Sequence, residues 1–336
     1  MKLTSVKTFK SIPLSVLDLA PVTEGGTPEQ SFKNSVSLAK HVENLGYNRY
    51  WLAEHHNMPG IASSATSVII GHIAGATNYI RVGSGGIMLP NHATLVIAEQ
   101  FGTLETLYPG RIDLGLGRAP GSDQATAYAL RRTLNMRVED FPLQVEELQS
   151  YFEGTARVHA VPGEGLNIPI WLLGSSGFSA RLSAEKGLPF SFASHFSPDY
   201  TIPALNSYRS NFKPSDTLEK PYAMLGVNII AADTDEEARY IATSQQQQFL
   251  SIRRGQPTKL QPPIERIDDV WSEMEKAAVE QSLNSRSTIV GGPETVKRGL
   301  EQFLEETQAD EFIINSQIYN HNDRLRSYEI VAELMD

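Results

Sequence analysis

Eight short apolar runs, each followed by apolar residues at helical spacing, limit the folds open to this chain. Residues 50–53 (Tyr-Trp-Leu-Ala) form a continuous apolar run rather than an alternating one, which is typical of a strand covered on both faces in a parallel sheet. Strands that alternate with helices favour an α/β architecture, and eight such units are the number a TIM barrel needs. We therefore predict a (β/α)8 barrel formed by one domain over residues 1–336. The predicted strands occupy residues 14–20, 47–53, 80–89, 112–116, 168–173, 190–193, 222–232 and 311–315.

Two segments interrupt this alternation. Residues 118–140 begin with glycine, proline, serine and aspartate, and residues 253–288 contain three prolines before an amphipathic helix. We predict that both are insertions at the C-terminal rim of the barrel and that the second is a lid. The glutamine run at residues 245–248 lies inside a predicted helix, and we expect it to form a solvated face.

Composition excludes several classes of function. The chain has 336 residues and a net charge of −10, which argues against nucleic acid or an anionic membrane as a partner. It has no cysteine, so disulfides, thiolate nucleophiles and cysteine-bound metals are excluded. We find no signal peptide and no apolar run of transmembrane length, and we expect a cytoplasmic protein.

The second predicted strand ends in Glu54, His55 and His56. Ligands bind at the carboxyl ends of strands in parallel α/β proteins, and an imidazole can hold or release a proton near neutral pH. A hydrogen-bonded loop at the rim is the alternative without a ligand. A metal site is disfavoured because adjacent strand residues face opposite ways, so His55 and His56 could not bind one ion there. We predict that His55 and Glu54 are catalytic and that no metal is bound.

Glycines occur within the third predicted strand and at the end of the fourth. Gly83, Gly85 and Gly86 lie within one strand, where they indicate either a kink or close approach by a flat ring. No Gly-x-Gly-x-x-Gly motif opens a helix here, so this is not a dinucleotide fingerprint. Gly117-Arg118 ends the next strand, and Arg118 could pair with an anion or form a rim salt bridge.

A turn rich in glycine and serine precedes the predicted helix after strand five. Residues 174–178 (Gly-Ser-Ser-Gly-Phe) place bare amides and hydroxyls at a helix N-terminus, which favours either an anion site or a capped turn. Three further polar residues at strand ends, Asp18, His195 and Asn315, are candidates for substrate contact.

Taken together, three of these stretches resemble the bacterial luciferase-like flavin monooxygenases. They are residues 51–56 (Trp-Leu-Ala-Glu-His-His), 82–90 (Val-Gly-Ser-Gly-Gly-Ile-Met-Leu-Pro) and 111–118 (Arg-Ile-Asp-Leu-Gly-Leu-Gly-Arg). The resemblance implies that reduced FMN, delivered by a separate flavin reductase, reacts with O2 through a peroxyflavin to oxygenate a small organic substrate. It also implies a homodimer.

The resemblance assigns roles to individual residues. His55 matches the family's catalytic histidine and Glu54 the acid before it, while Gly85-Gly86 falls where the family has a cis peptide under the flavin. Arg118 matches the flavin-binding arginine. The phosphate loop of the family corresponds to Ser175, Ser176, Gly177 and Phe178.

The chain departs from luciferase at two positions. Gly174 stands where luciferase has an acid, and Gly117 stands where it has a reactive thiol. These departures weigh against light emission and an aldehyde substrate but leave flavin binding untouched. Two other functions remain open: a reductase that uses the deazaflavin F420 on the same barrel, and a flavin carrier without catalysis.

Overall fold

The computed structural model describes residues 5–118, 124–131, 140–265, 270–283 and 285–336. Eight parallel strands, β2 to β8 and β10 below, pair in order, and β2 pairs with both β3 and β10, which closes a barrel. The (β/α)8 prediction is confirmed. The strands are β1 (Thr8–Phe9), β2 (Ile12–Asp18), β3 (Arg49–Leu52), β4 (Arg81–Met88), β5 (Ile112–Gly117), β6 (Ile170–Gly174), β7 (Phe190–Phe192), β8 (Ala223–Ala231), β9 (Thr288–Gly291) and β10 (Glu311–Asn315).

Helices follow the strands as the apolar spacing predicts. None of the helices in the described ranges is long and apolar enough to cross a membrane. The helices are α1 (Pro28–Leu45), α2 (Thr66–Ala76), α3 (Thr94–Leu107), α4 (Gln124–Arg131), α5 (Phe141–Glu153), α6 (Gly177–Lys186), α7 (Thr201–Asn211), α8 (Asp235–Arg253), α9 (Glu273–Leu283), α10 (Pro293–Thr307) and α11 (His321–Ala332).

Two strands lie outside the predicted pattern. β1 pairs antiparallel with β2, and β9 pairs parallel with residues 228–231 in the outer half of β8. The first predicted insertion, at 118–140, lies largely outside the described residues. In the second, α9 packs on α8 through a small apolar cluster of Leu250, Trp271 and Val279.

An ionic layer fills the N-terminal end of the barrel interior. Arg49 at the start of β3 pairs with Asp113 of β5 at 2.7 Å and with Glu311 of β10 at 3.1 Å, and Arg81 pairs with Asp113 at 2.6 Å. Both carboxylates are fully buried. Burial would raise the pKa of Asp113, but the charges of Arg49 and Arg81 outweigh it and lower the pKa. These charges are therefore paired rather than isolated in the interior.

An aromatic floor lies above this ionic layer. The rings of Trp51 and Trp171 meet edge to face at 5.3 Å, and Trp171 meets Tyr222 in the same way at 5.6 Å. The guanidinium of Arg49 lies 4.8 Å from the Trp171 ring, which links the two layers. Among the described residues the barrel interior is thus packed below the strand ends, and the floor residue Trp51 borders a cavity above it.

Asp18 is buried in a structural ion pair, and its prediction as a substrate contact is corrected. Its carboxylate pairs with Arg324 of α11 at 2.9 Å and also accepts hydrogen bonds from Ser35 and Tyr50. Leu17, the residue before it, faces the barrel interior, so the alternation of the strand turns Asp18 outward towards the helices.

Candidate active site

A cavity of about 1300 Å³ opens at the carboxyl ends of the barrel strands. Most of the predicted site residues line it, although Gly86, Gly177 and Phe178 do not. The predicted residues that form its wall are Glu54, His55, Gly85, Arg118, Ser175, Ser176, His195 and Asn315.

Glu54 is the centre of a hydrogen-bond network at the rim. Its buried carboxylate lies 2.8 Å from Nε2 of His56 and 2.9 Å from Nε2 of His92, and it accepts a bond from the Met88 amide at 3.0 Å. Burial would raise the pKa of Glu54, but the hydrogen bond and charge of His92, with the other donors, lower it. Glu54 is therefore an ionised acceptor that fixes two imidazoles and the turn after β4.

His92 belongs to this network, and sequence reasoning did not select it. It follows β4 by four residues, in the segment Leu89-Pro90-Asn91-His92. The signal was present, because a histidine shortly after a barrel strand faces the same rim as Glu54. What the sequence does not show is that the turn after Met88 brings His92 back over the end of β3.

His55 and His195 line the same cavity. Burial is the main cause that lowers the pKa of His55 below its ordinary value, with the charge of Glu54 opposing it. Burial likewise lowers the pKa of His195 to about 4; a hydrogen bond with the backbone of Gly226 opposes this shift, and the neighbouring His55 adds to it. The Nδ1 atom of His55 is buried without a hydrogen-bond partner in the described part of the chain. Both imidazoles are therefore neutral at pH 7 and can accept a proton.

The glycines of β4 lie at a kink where the strand closely approaches β5. The peptide bond between Gly85 and Gly86 is cis, as the resemblance implies. A Cβ on Gly86 would lie 2.7 Å from the backbone oxygen of Gly115, and the pairing of β4 with β5 shifts register beyond Ser84. Close backbone approach accounts for Gly86, while Gly85 exposes bare backbone to the cavity.

Arg118 and the start of α6 form a cationic, hydroxyl-rich wall. The guanidinium carbon of Arg118 lies 4.1 Å from the centre of the Phe178 ring, which orients the charge towards the cavity wall. Ser175 and Ser176 are exposed, and Ser176 precedes α6 without a side-chain capping bond. The predicted alternative of a side-chain-capped turn is therefore absent, and these groups can bind an anion.

Asn315 belongs to a chain of carboxamides on another part of the wall. It accepts from Gln317 Nε2 at 3.1 Å and donates to Asn228 Oδ1 at 2.9 Å. Asn228 in turn donates to Thr288 at 3.3 Å and to the backbone oxygen of His195 at 3.4 Å. Both asparagine orientations are thereby fixed, and the wall from β8 and β10 is polar but uncharged.

The glutamine run of α8 is not a solvated face, and that prediction is wrong. Gln245, Gln246 and Gln248 line the cavity, and Gln246 is only 7% exposed. The reason is the position of α8, which packs on β8 and β9 and is covered by α9 at the cluster of Leu250, Trp271 and Val279. No group of three or more potential ligands able to hold a metal ion is found among the described residues.

Replacing Glu54 with glutamine should lower the free energy of unfolding by about 1–3 kcal/mol at pH 7. The Met88 amide and His92 now bond to a carboxylate with two acceptor oxygens, whereas the glutamine amide has only one. Urea unfolding measures this loss. Because the folded pKa of Glu54 is lowered, its contribution is present at neutral pH and is lost as the pH falls through that value. The difference in unfolding free energy between Glu54→Gln and the parent should therefore become smaller as the pH is lowered.

The matched control is Glu236→Gln on the exposed first turn of α8, which we expect to change stability by less than about 0.5 kcal/mol. Equal stability of Glu54→Gln and the parent at pH 7 would show that the rim network contributes nothing to the fold.

The fold and the rim cavity place this chain among (β/α)8 barrel proteins with a ligand site at the C-terminal face. A family model described as luciferase-like monooxygenase matches residues 12–311. The chain belongs to the luciferase-like monooxygenase family, as its motifs indicate.

Relatives match nearly the whole chain. The YvbT protein of Bacillus subtilis (strain 168) is 64% identical, covering 97% of each chain. A luciferase-like monooxygenase of Escherichia coli (strain K12) is 54% identical, covering 98% of each. The N-acetyl-S-alkylcysteine monooxygenase of Bacillus subtilis (strain 168) is 31% identical over 96% of this chain and 98% of that protein.

Solved structures agree with the fold. The crystal structure of apo-MsnO8 has a TM-score of 0.85 and 34% identity, covering 96% of this chain and 98% of the other. Two more distant structures share the fold alone. A type II Baeyer–Villiger monooxygenase in complex with FMN has a TM-score of 0.71 at 16% identity, covering 96% and 97% of the two chains. An F420-dependent secondary alcohol dehydrogenase has a TM-score of 0.67 at 12% identity, covering 97% and 100%.

Proposed function

We propose that this protein is a monooxygenase that uses reduced FMN and O2 to oxygenate a small organic substrate. The observation that carries the proposal is the convergence of Gly85, His55 and Arg118 on one cavity at the strand ends. Reduced flavin, when bound, supplies the electrons that activate O2 for insertion into the substrate.

The cavity wall fits a flavin. Gly85 provides side-chain-free backbone for a flat ring, and Arg118 with Ser175 and Ser176 provides donors for a phosphate. The volume of about 1300 Å³ exceeds the roughly 300–1,000 Å³ usual for one small ligand, which leaves room for a substrate. His55 lines the same cavity, and its buried Nδ1 atom has no partner within the described residues.

The chain's own residues would bind, orient and exclude water. Arg118 and the serines hold the anionic end of the cofactor, and neutral His55 accepts a proton at the reacting end. Glu54 positions the rim through its bonds to His56 and His92. The α9 helix, which contributes Val279 and neighbouring residues to the cavity wall, covers the site as a lid.

Reduced flavin must come from elsewhere. The sequence has no dinucleotide fingerprint, so we propose a separate flavin reductase as the donor, in the cytoplasm. We also propose a homodimer, as the family resemblance implies.

An Arg118→Ala variant should bind FMN about ten- to a hundredfold more weakly, because a hydrogen bond to a charged group contributes about 1.5–3 kcal/mol. Quenching of flavin fluorescence measures the affinity. Riboflavin, which lacks the phosphate, should bind the variant and the parent alike.

Arg181→Ala serves as the control, because Arg181 lies on the exposed face of α6 and does not line the cavity. If Arg118→Ala and Arg181→Ala bind FMN equally well, the proposed position of the phosphate is wrong.

Two alternatives have distinct outcomes. Tight binding of F420 without binding of FMN would indicate a deazaflavin reductase. Binding of FMN without substrate-dependent O2 consumption would indicate a carrier. A substrate screen can begin with N-acetyl-S-alkylcysteines, because a 31% identical relative is named for them.

A further inference from the structure

Three neighbouring glutamines on α8 line the cavity, and the side-chain oxygen of each is buried. The Oε1 atoms of Gln245, Gln246 and Gln248 have no hydrogen-bond partner within the described part of the chain. Their neighbour Gln247 differs in both respects. Its amide donates to the backbone oxygen of Pro262 at 2.8 Å, and it does not line the cavity. The run therefore contains three cavity-facing residues and one internal control.

A buried carboxamide without a partner is unfavourable. Leaving a buried polar atom unpaired costs about 1–3 kcal/mol, and an apolar side chain on the same helix would avoid that cost. Two other residues that line the same cavity carry a buried atom without a partner in the described part of the chain, namely Nδ1 of His55 and Oγ1 of Thr201. A molecule that enters the cavity can supply the missing partners.

The chemistry of the wall limits what that molecule can be. Each glutamine amide carries both donors and an acceptor and no net charge. The barrel side of the cavity adds Asn228 and Asn315, whose amides are already fixed in their own chain. Amide groups pair best with a ligand group that also donates and accepts, such as another amide or a hydroxyl group.

We propose that Gln245, Gln246 and Gln248 are specificity-determining residues that select a substrate bearing an uncharged amide. This inference deepens the proposed function, because the selected molecule would be the one oxygenated beside the flavin. Gln246 is the principal member, since it is the most buried of the three.

The test is a coupling measurement on flavin-free protein. Two ligands are compared: N-(2-benzylsulfanylethyl)acetamide and its analogue in which CH2 and CH(CH3) replace the amide N–H and C=O. Their affinities are measured by tryptophan fluorescence, because Trp51 lines the cavity. Gln246→Met should reduce the ratio of amide to alkane affinity about five- to tenfold, whereas Gln247→Met should change it less than twofold.

The ratio of amide to alkane affinity distinguishes the loss of a hydrogen bond from a general loosening of the pocket. A loosened pocket weakens the binding of both ligands, whereas only the amide can lose a hydrogen bond. An unchanged ratio in a folded Gln246→Met variant would overturn the proposal. If that variant does not fold, Gln245→Met and Gln248→Met decide the matter by the same ratio. FMN binding by the parent is measured separately, so failure of the flavin proposal and failure of this one are distinguishable.

Discussion

An Arg324→Met variant should lose about 3–5 kcal/mol of unfolding free energy at pH 7. Arg324 is 2% exposed and pairs with Asp18, which is fully buried, so its removal leaves an uncompensated charge in the interior. Tyr50 and Ser35 still donate to that carboxylate but cannot neutralise it. Urea unfolding followed by circular dichroism gives the change in free energy.

The control lies two residues away on the same helix. Arg326 forms ion pairs with Asp233, Glu329 and Glu333 at the surface, and Arg326→Met should change stability by no more than about 1 kcal/mol. Similar losses in Arg324→Met and Arg326→Met would contradict the structural assignment. Burial would raise the pKa of Asp18, but Arg324 and the two hydroxyls lower it, so its contribution is present at neutral pH and lost in acid.

A His55→Ala variant should form product about a hundredfold or more slowly with reduced FMN, O2 and an accepted substrate, because a positioned general base contributes about 10²–10⁴-fold. FMN affinity should stay within about threefold of the parent. Product formation and hydrogen peroxide are measured together, since oxygen that is not transferred to substrate appears as peroxide. His72→Ala, at an exposed position of α2, is the control and should match the parent.

The pH profile tests the same role. Burial lowers the pKa of His55 below its ordinary value of 6.5, so the neutral ring persists into mild acid. The rate of the parent should be level from pH 8 to 6.5 and fall only below that range. In His55→Gln this fall in rate at low pH should be absent. If the rate of the variant still falls, a group other than His55 accepts the proton.

Much of the fold could be predicted from the sequence, because each barrel strand is an apolar run bounded by helical patterns. β9 could not, since four residues that end in glycine carry little signal of their own. The motifs also located Glu54, His55 and Arg118, because residues that follow a barrel strand share one rim.

The errors have a common physical origin in side-chain direction. Asp18 and Asn315 both end barrel strands, yet one turns outward to Arg324 and the other lines the cavity. The glutamines of α8 are polar, but polarity does not distinguish water from a ligand as the missing partner. Tertiary packing decides which side chains of a strand face the barrel interior and whether α9 covers α8, and a single sequence does not reveal that packing.

The aromatic floor and the ionic layer beneath it close the barrel interior at its N-terminal end and leave it open at its C-terminal end. Ligands therefore enter and leave at the C-terminal end. A ligand bound deep in the cavity must bind before one nearer the opening and must be released after it, so the shape of the barrel sets the order of binding and release during turnover.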